Sequence, residues 1–552
     1  MRKLLLLVSL CFTLGIAAQH VTEQQALLKA RAFMKDKAFS PANKARSIKG
    51  KAQGIPYRQF YIFNVEDDGG FVIVSGDERA KEILAYSDSG HLNYGELPDN
   101  LKGWLDFYEE AIKAIPARTT ASRAVSRAPK AEVKPLMTFA WNQYDPYNKY
   151  CPASPEDPTQ TSVTGCVATA MAQMMYYHKW PNTLPALDSY VYYNKYSVPA
   201  LDSKPMDWNN NDDLYWLSRY CGQSVNMAYG KNGSSAHETM IPSVMVNKFG
   251  YDGAERVVFR NAYNADTWDN MMYDELANKR PFIYSGHDLS QEGIDYGHTF
   301  ICDGYKDGLY HVNWGWGSYF NKGYYALDVM DSPDGCSYSS KQIAVIGIQP
   351  PNGGTADYPS FSCTKMEVSS DLEVSRASST SEFENITISW EAPATILNAC
   401  KLEMAVALLD GTQPLSVLAY YGINQIEPDR YYYHNVTVFI DSWIPDGTYT
   451  IAFVYKDPNK DTNESDWHLA TGSDYRYISA TISGNKLTLK NHPSSDPDEP
   501  DTPNATDIVE VINFLLGNPS GTFDKKAADT TGDQKINIAD IIQIINNILS
   551  AQ

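Results

Sequence analysis

Thr164-Gly165-Cys166-Val167-Ala168-Thr169-Ala170-Met171-Ala172-Gln173-Met174-Met175 is the stretch on which the reading of this chain turns. Helix formers begin directly after Gly165, which predicts a helix that opens on Cys166. At a helix N-terminus the first backbone N–H groups lack partners within the helix. Together with the helix dipole they stabilise a thiolate and lower its pKa. The same groups can hold a developing oxyanion. Taken alone, a Cys opening a helix is more often a packed small residue, and Met171, Met174 and Met175 read as core filling. A catalytic thiol needs more than its helix.

It needs a base. Among ten histidines, the one in Gly297-His298-Thr299-Phe300-Ile301-Cys302 stands out. Strand alternation places His298 on one face with Phe300. A second strand follows, Leu309-Tyr310-His311-Val312-Asn313-Trp314-Gly315-Trp316-Gly317. An Asn at its end can accept the imidazole N–H, and a Trp can shield that bond from water. His287 in a loop and His311 in the strand are weaker rivals.

Around this block the chain divides by texture. Arg2 and Lys3 precede an apolar run from Leu4 to Ala18, too short to cross a bilayer but suited to a secretory signal closing on Ala17-Ala18. No other stretch is apolar and long enough to span a membrane. Glu23 to Lys37 reads as an amphipathic helix, Phe60–Val65 and Gly70–Val74 as strands, and Leu101 to Ile115 as a second helix. Arg118 to Lys134 is rich in Ala, Ser, Thr and Pro and mostly basic, an exposed stretch open to proteases. Beyond Pro350, alternating runs such as Ile386–Trp390 and Thr448–Tyr455 predict a β-sandwich to about Leu489. A Pro/Asp/Ser linker then leads to a helical tail. The 552 residues carry 46 Lys+Arg against 66 Asp+Glu, a net charge of −20, which argues against nucleic acid and anionic membranes as partners. Setting Cys11 aside with the signal leaves seven cysteines, so in an exported protein at least one thiol is unpaired.

The block from Asn142 to Pro350 resembles the streptopain family of papain-fold cysteine peptidases. The matching text is Asn142-Gln143 with Pro146-Tyr147-Asn148, Thr164–Ala170 with Tyr177-His178, Gly297-His298, Tyr310–Gly317 and Val345-Ile346-Gly347-Ile348. The resemblance implies an α+β, papain-like catalytic domain with Cys166 as nucleophile and His298 as its partner. Gln143 would donate to the oxyanion beside the Cys166 N–H, Asn313 or Trp314 would orient the imidazole, and Ser235 and Gly297 would touch the substrate backbone. The reaction so implied is peptide-bond hydrolysis of protein substrates through a thioester, with no metal or organic cofactor. Tyr61–Val65 and Gly70–Asp77 resemble that family's propeptide, which would cover the active site until cut near Arg118, Arg123, Arg127 or Lys130. The expected divisions are residues 1–18 signal peptide, 19–127 inhibitory propeptide, 128–350 peptidase, 355–490 β-sandwich, 491–503 linker and 504–552 tail module.

In the tail, Asp529, Thr531, Asp533, Asn537 and Asp540 put oxygen-bearing side chains at loop positions 1, 3, 5, 9 and 12, with the Lys535 carbonyl at 7, a pattern suited to Ca²⁺. The helix Ile541–Leu549 follows, and Asp507–Leu516 repeats the outline one unit earlier. Two such repeats resemble a dockerin module, which implies a cohesin-like partner. Pro500 in the first loop and Gln534 at position 6 of the second depart from the pattern. Other readings of the whole chain are a catalytically silent surface adhesin on the same scaffold and an acyl transferase using the same Cys–His pair.

Overall fold

The computed structural model describes residues 20–36, 59–65, 69–92, 97, 99–113, 115, 130–192, 196–288, 296–317, 323–328, 342–355, 360–369, 372–428, 430–463 and 466–492. The signal, the 491–503 linker beyond His492 and the whole tail module, Asp529 to Asp540 included, lie outside the described residues.

The N-terminal region forms helix α1 (Glu23–Asp36), strands β1 (Phe60–Asn64), β2 (Phe71–Ser75) and β3 (Ile83–Ser87), and helix α2 (Asp99–Lys113). A reciprocal cap starts α1: Thr22 Oγ1 accepts from the Gln25 N–H at 3.3 Å, and Gln25 Oε1 accepts from the Thr22 N–H at 2.8 Å. In α2, Leu101, Trp104, Leu105, Tyr108, Ala111 and Ile112 are buried, a stripe at helical spacing.

The catalytic block contributes helices α3 (Cys166–His178), α4 (Asn211–Ser224), α5 (Ile241–Phe249) and α6 (Ala265–Ala277). Its long strands are β4 (Arg256–Phe259), β5 (Phe282–Asp288), β6 (Tyr296–Lys306), β7 (Leu309–Asn313), β8 (Gly323–Tyr325) and β9 (Ile343–Ile346). Both regions share one nine-stranded sheet in the order β1-β2-β3-β8-β7-β6-β5-β9-β4. The junction is β3 against β8, antiparallel, with Gly323 opposite Ser87 and Tyr325 opposite Ala85. Tyr86 and Tyr324 stack across it at 5.1 Å, and the Tyr108 hydroxyl reaches the carbonyls of Leu84 and Ala326 at 2.9 and 2.8 Å.

Alternation then assigns each strand two faces. Phe282, Tyr284, Phe300 and Trp314 join a core with Trp104, Leu105 and Trp268. Ile283, Ile301 and Val345 join another with α3, α4 and α5. One face of the catalytic sheet is thus covered by the N-terminal region and α6, the other by the helix that carries Cys166.

The C-terminal region is the predicted β-sandwich. A three-stranded sheet orders β10 (Lys365–Val368), β12 (Phe383–Pro393) and β15 (Tyr431–Ile440). The facing sheet follows the order β11-β18-β17-β16-β13-β14, from β11 (Glu373–Ser375) and β13 (Cys400–Asp410) to β14 (Gln413–Ile426), β16 (Gly447–Lys456), β17 (Tyr477–Ser483) and β18 (Lys486–His492). Phe361, Phe383, Trp390 and Phe453 fill its core. Arg476 Nε donates to the Asn261 carbonyl at 2.8 Å, and Asn261 Nδ2 donates to the Thr364 carbonyl at 3.1 Å, joining sandwich and catalytic block.

One sequence expectation holds only in part. Arg118 to Lys134 reads as exposed, and in its described part Ala131, Glu132 and Lys134 are exposed while Lys130 and Val133 are docked. Lys130 Nζ pairs with Asp269 at 2.5 Å and lies 4.9 Å over the Tyr273 ring, and Val133 bridges Tyr305 through two backbone bonds of 2.8 Å. The free backbone at β6 offers hydrogen bonds that outweigh the stretch's polar composition.

Candidate active site

Helix α3 begins at Cys166, as its sequence predicts. Gly165 before it has φ +89° and ψ 146°, and a Cβ there would come within 2.9 Å of the Met227 side chain and 3.0 Å of the Ser234 carbonyl oxygen. Only glycine fits that turn. No side chain caps the helix and no acid occupies its first turn, so its leading N–H groups face the sulfur's surroundings.

The thiol itself departs from expectation. Burial pushes the Cys166 pKa up, and the Glu238 carboxylate adds to the rise. Hydrogen bonds from the backbone and hydroxyl of Thr299 and from the Val167 N–H pull only part of it back. The helix terminus alone does not overcome desolvation, and Cys166 stands here as a neutral thiol.

The reason is the position of His298. It does share a face with Phe300, their rings stacked at 6.2 Å, but that is the face under α2. Phe300 meets Trp104 at 5.4 Å and Trp314 at 4.7 Å. His298 Nε2 lies 3.2 Å from the Trp314 carbonyl oxygen. A carbonyl only accepts, so Nε2 carries the proton. Burial holds the imidazole pKa down to about 3, against a smaller upward pull from that carbonyl. Thr299, on the opposite face, occupies the place beside Cys166, and its hydroxyl is 2.6 Å from that of Ser285. The expected Cys166–His298 ion pair is therefore absent from this covered form: among the described residues no hydrogen bond joins the two side chains.

The remaining predicted residues divide. Gln143 is buried, and its carbonyl accepts the Thr164 N–H at 2.9 Å, which holds it beside the turn into α3. Asn313 Nδ2 donates to Gln173 Oε1 on α3 at 2.9 Å, and its Oδ1 accepts from the Gly315 N–H at 3.1 Å. Gln173 Oε1 also takes the Trp141 N–H at 3.0 Å. Those bonds tie β7, α3 and the Gln143 segment together, and none of them runs to His298. Trp314 places its ring 6.4 Å from His298, so of Asn313 and Trp314 it is the one that lies beside the imidazole, as Phe300 does at 6.2 Å. Ser235 is exposed and bridges Ala228 through backbone bonds of 2.8 and 3.1 Å. Gly297 pairs with His287 on β5.

Three residues hold places to which the sequence reading assigned no role of their own, although Ser234 lies in the Gly233–Ala236 stretch that resembles the family's substrate-contacting loop. Ser234 Oγ donates to the Val163 carbonyl at 2.7 Å and accepts from the Gly230 N–H at 3.1 Å, pinning the Ser235 loop to the approach to Cys166. Thr299 follows from alternation once the face of Cys166 is known. Glu238 begins a short 3₁₀ turn (Glu238–Met240), and no local pattern marks it. All six described cysteines, Cys151, Cys166, Cys221, Cys302, Cys363 and Cys400, are free thiols, and Cys336 lies outside the described residues.

A thiol at an uncapped helix start and a glutamine held alongside it are parts that a cysteine-peptidase site needs, while the histidine on the neighbouring strand lies on the other face of the sheet, under the N-terminal region. Comparison with known proteins agrees, and the chain belongs to the Peptidase C10 family. That family's profile matches residues 141–325, a Spi protease inhibitor profile matches 18–112 and a dockerin type I domain matches 496–549. The thiol protease/hemagglutinin PrtT of Porphyromonas gingivalis is 31% identical over 331 residues, 53% of this chain and 37% of that protein's length. Streptopain of Streptococcus pyogenes is 29% identical over 388 residues, 61% of this chain and 95% of its own. Among solved structures, a Prevotella intermedia prointerpain A fragment is 29% identical over 56% of this chain and 99% of its own, with TM-score 0.44. Active interpain A from the same organism is 32% identical over 40% of this chain and 96% of its own, with TM-score 0.34.

Proposed function

We propose that this chain is a secreted cysteine endopeptidase made as a latent precursor, with Cys166 and His298 as its catalytic pair once the N-terminal region leaves. The observation that carries this reading is Cys166 at the uncapped start of α3 with Gln143 beside it, while His298 is turned under the Trp104 face of the cover. On release, His298 swings to Cys166 and takes its proton, leaving a thiolate and an imidazolium. The thiolate attacks the scissile carbonyl carbon, and the electron pair moves to the carbonyl oxygen. Gln143 Nε2 and the Cys166 N–H donate to that oxyanion. As the C–N bond breaks, His298 protonates the leaving amine. Water, deprotonated by His298, then hydrolyses the thioester and restores the thiol. Ser235 and Gly297 flank the cleft and bind the substrate backbone. No step calls on a metal or organic cofactor.

The tail module, through Asp529, Thr531, Asp533, Lys535, Asn537 and Asp540, holds Ca²⁺ in its second repeat and docks on a cohesin-like partner. Digestion of casein by the matured chain and by its Cys166→Ala form tests the central reading: equal digestion by both ends it. For the tail, a fold unchanged by chelation removes the Ca²⁺ assignment.

A further inference from the structure

A cavity of about 270 Å³ opens in the β-sandwich between β14 and β15, which are end strands of the two facing sheets. Its floor is Trp390, 2% exposed, whose indole N–H donates to the Tyr421 hydroxyl at 2.8 Å. The Tyr421 and His434 rings stack at 5.3 Å and 19°, and His434 lies 6.0 Å from Trp390. Tyr433, 74% exposed, and Tyr431, 45% exposed, stand at the mouth. Such exposure of large aromatic rings beside a cavity is costly unless something uses it.

The backbone is shaped to make this wall. Glu403 pairs with Ile423 and Ala405 with Tyr420, so Tyr421 and Gly422 together stand opposite the single residue Met404. That is a β-bulge, a device that re-aims a side chain, and Gly422 at φ +76° supplies the backbone it needs. Asn424 Nδ2 braces the bulge by donating to the Tyr421 and Gly422 carbonyls at 3.0 and 3.2 Å. Its Oδ1 is left as an acceptor, with no donor to it among the described residues.

The lining chemistry selects the ligand. It contains no Asp, Glu, Lys or Arg, so an anionic ligand finds no counter-charge. Flat aromatic faces suit an array of C–H bonds, while an amide oxygen, tyrosine hydroxyls and an imidazole suit several hydroxyl groups on the same molecule. A quaternary ammonium would use the ring faces but none of those polar atoms. We infer that the β-sandwich is a saccharide-binding module whose β14/β15 seam takes a neutral pyranose ring. This goes beyond the peptidase reading and does not depend on it.

The test uses the full chain carrying Cys166→Ala, to prevent self-digestion, titrated calorimetrically with galactose, mannose, N-acetylglucosamine and their β-linked oligosaccharides. Saturable binding is expected for at least one of them, weakened about tenfold or more by Tyr433→Ala and by Asn424→Ala. Tyr433 is exposed enough that its removal leaves the sandwich folded. In chains that retain Cys166, casein digestion is unchanged by either substitution. Three results overturn the inference: no binding of any of these sugars, binding that survives both substitutions, or occupation of the seam by choline or a proline-rich peptide in place of sugar.

Discussion

Trp104→Ala in the full precursor removes the side chain that packs on Phe300 and Trp314, the two rings beside His298. The indole is 5% exposed and meets five rings: Phe107 and Tyr108 on its own helix, and Tyr284, Phe300 and Trp314 on the catalytic sheet at 6.1, 5.4 and 6.2 Å. Truncating a buried Trp to Ala costs about 3–5 kcal/mol. Since three of the five rings belong to the catalytic sheet, about 2 kcal/mol of this falls on docking of the cover, which is roughly a 30-fold rise in the open fraction. The assay is hydrolysis of a quenched fluorescent peptide by freshly purified precursor, together with the lag before self-processing. We expect basal hydrolysis to rise by roughly that factor and the lag to shorten, with Trp104→Phe between the two. A folded Trp104→Ala precursor with unchanged basal hydrolysis and unchanged lag refutes the reasoning.

Gly165→Ala forces a Cβ into Ser234 and Met227 at φ +89°; we expect about 1–3 kcal/mol lost in denaturant melts and a matured enzyme with strongly reduced kcat. Acidification should loosen the precursor. His298, held down to about 3, binds fewer protons folded than unfolded between that value and about 6.5, so its contribution is intact above pH 6.5 and drains away as pH falls toward 3. Burial lowers His178 to about 4 in the same sense, so the readout is the difference between wild type and His298→Gln: at pH 5 wild type should lose about 1–2 kcal/mol more, relative to pH 7.5. An equal loss in both removes His298 from the account. The docked Lys130 predicts a maturation cut upstream of it, and mass spectrometry of the matured chain should find an N-terminus at or before residue 130. A start beyond Val133 contradicts the docking.

Much of the local structure was legible because it is written in periodicity. The helix expected from Glu23 to Lys37 runs Glu23–Asp36, and that expected from Leu101 to Ile115 runs Asp99–Lys113. Cys166 opens its helix as Gly165 requires, and the sandwich strands follow their alternation. Strand β3 was missed: like β2 it is buried on both faces and shows no alternation, but Ile83-Leu84-Ala85-Tyr86-Ser87 lacks the run of Phe and β-branched residues that marks Phe71-Val72-Ile73-Val74. Its pairing with β8 joins segments far apart in sequence, which no local pattern reports. The placement of His298 shows a different limit. Alternation correctly put it with Phe300, but a period of two says which residues share a face and not which face holds the thiol.

That limit explains how latency is built. His298 pairs with Gly286 and Gly297 with His287, so two successive strand pairs at the imidazole each contain a glycine. Backbone without Cβ atoms twists more freely than the Phe300–Tyr284 pairing beyond it. The Trp104 ring lies directly on this spot, 3.0 Å from where a Gly286 Cβ would stand. α2 therefore clamps the strand end that must turn if His298 is to leave the Trp314 carbonyl and reach Cys166. The same helix fills the core beneath the continuous sheet, with Tyr108 reaching both β3 and the residue after β8. Cutting the chain upstream of Lys130 breaks none of these contacts. Activation thus requires the cover to dissociate or be degraded after the cut, and the energy holding the precursor together is the energy holding it silent.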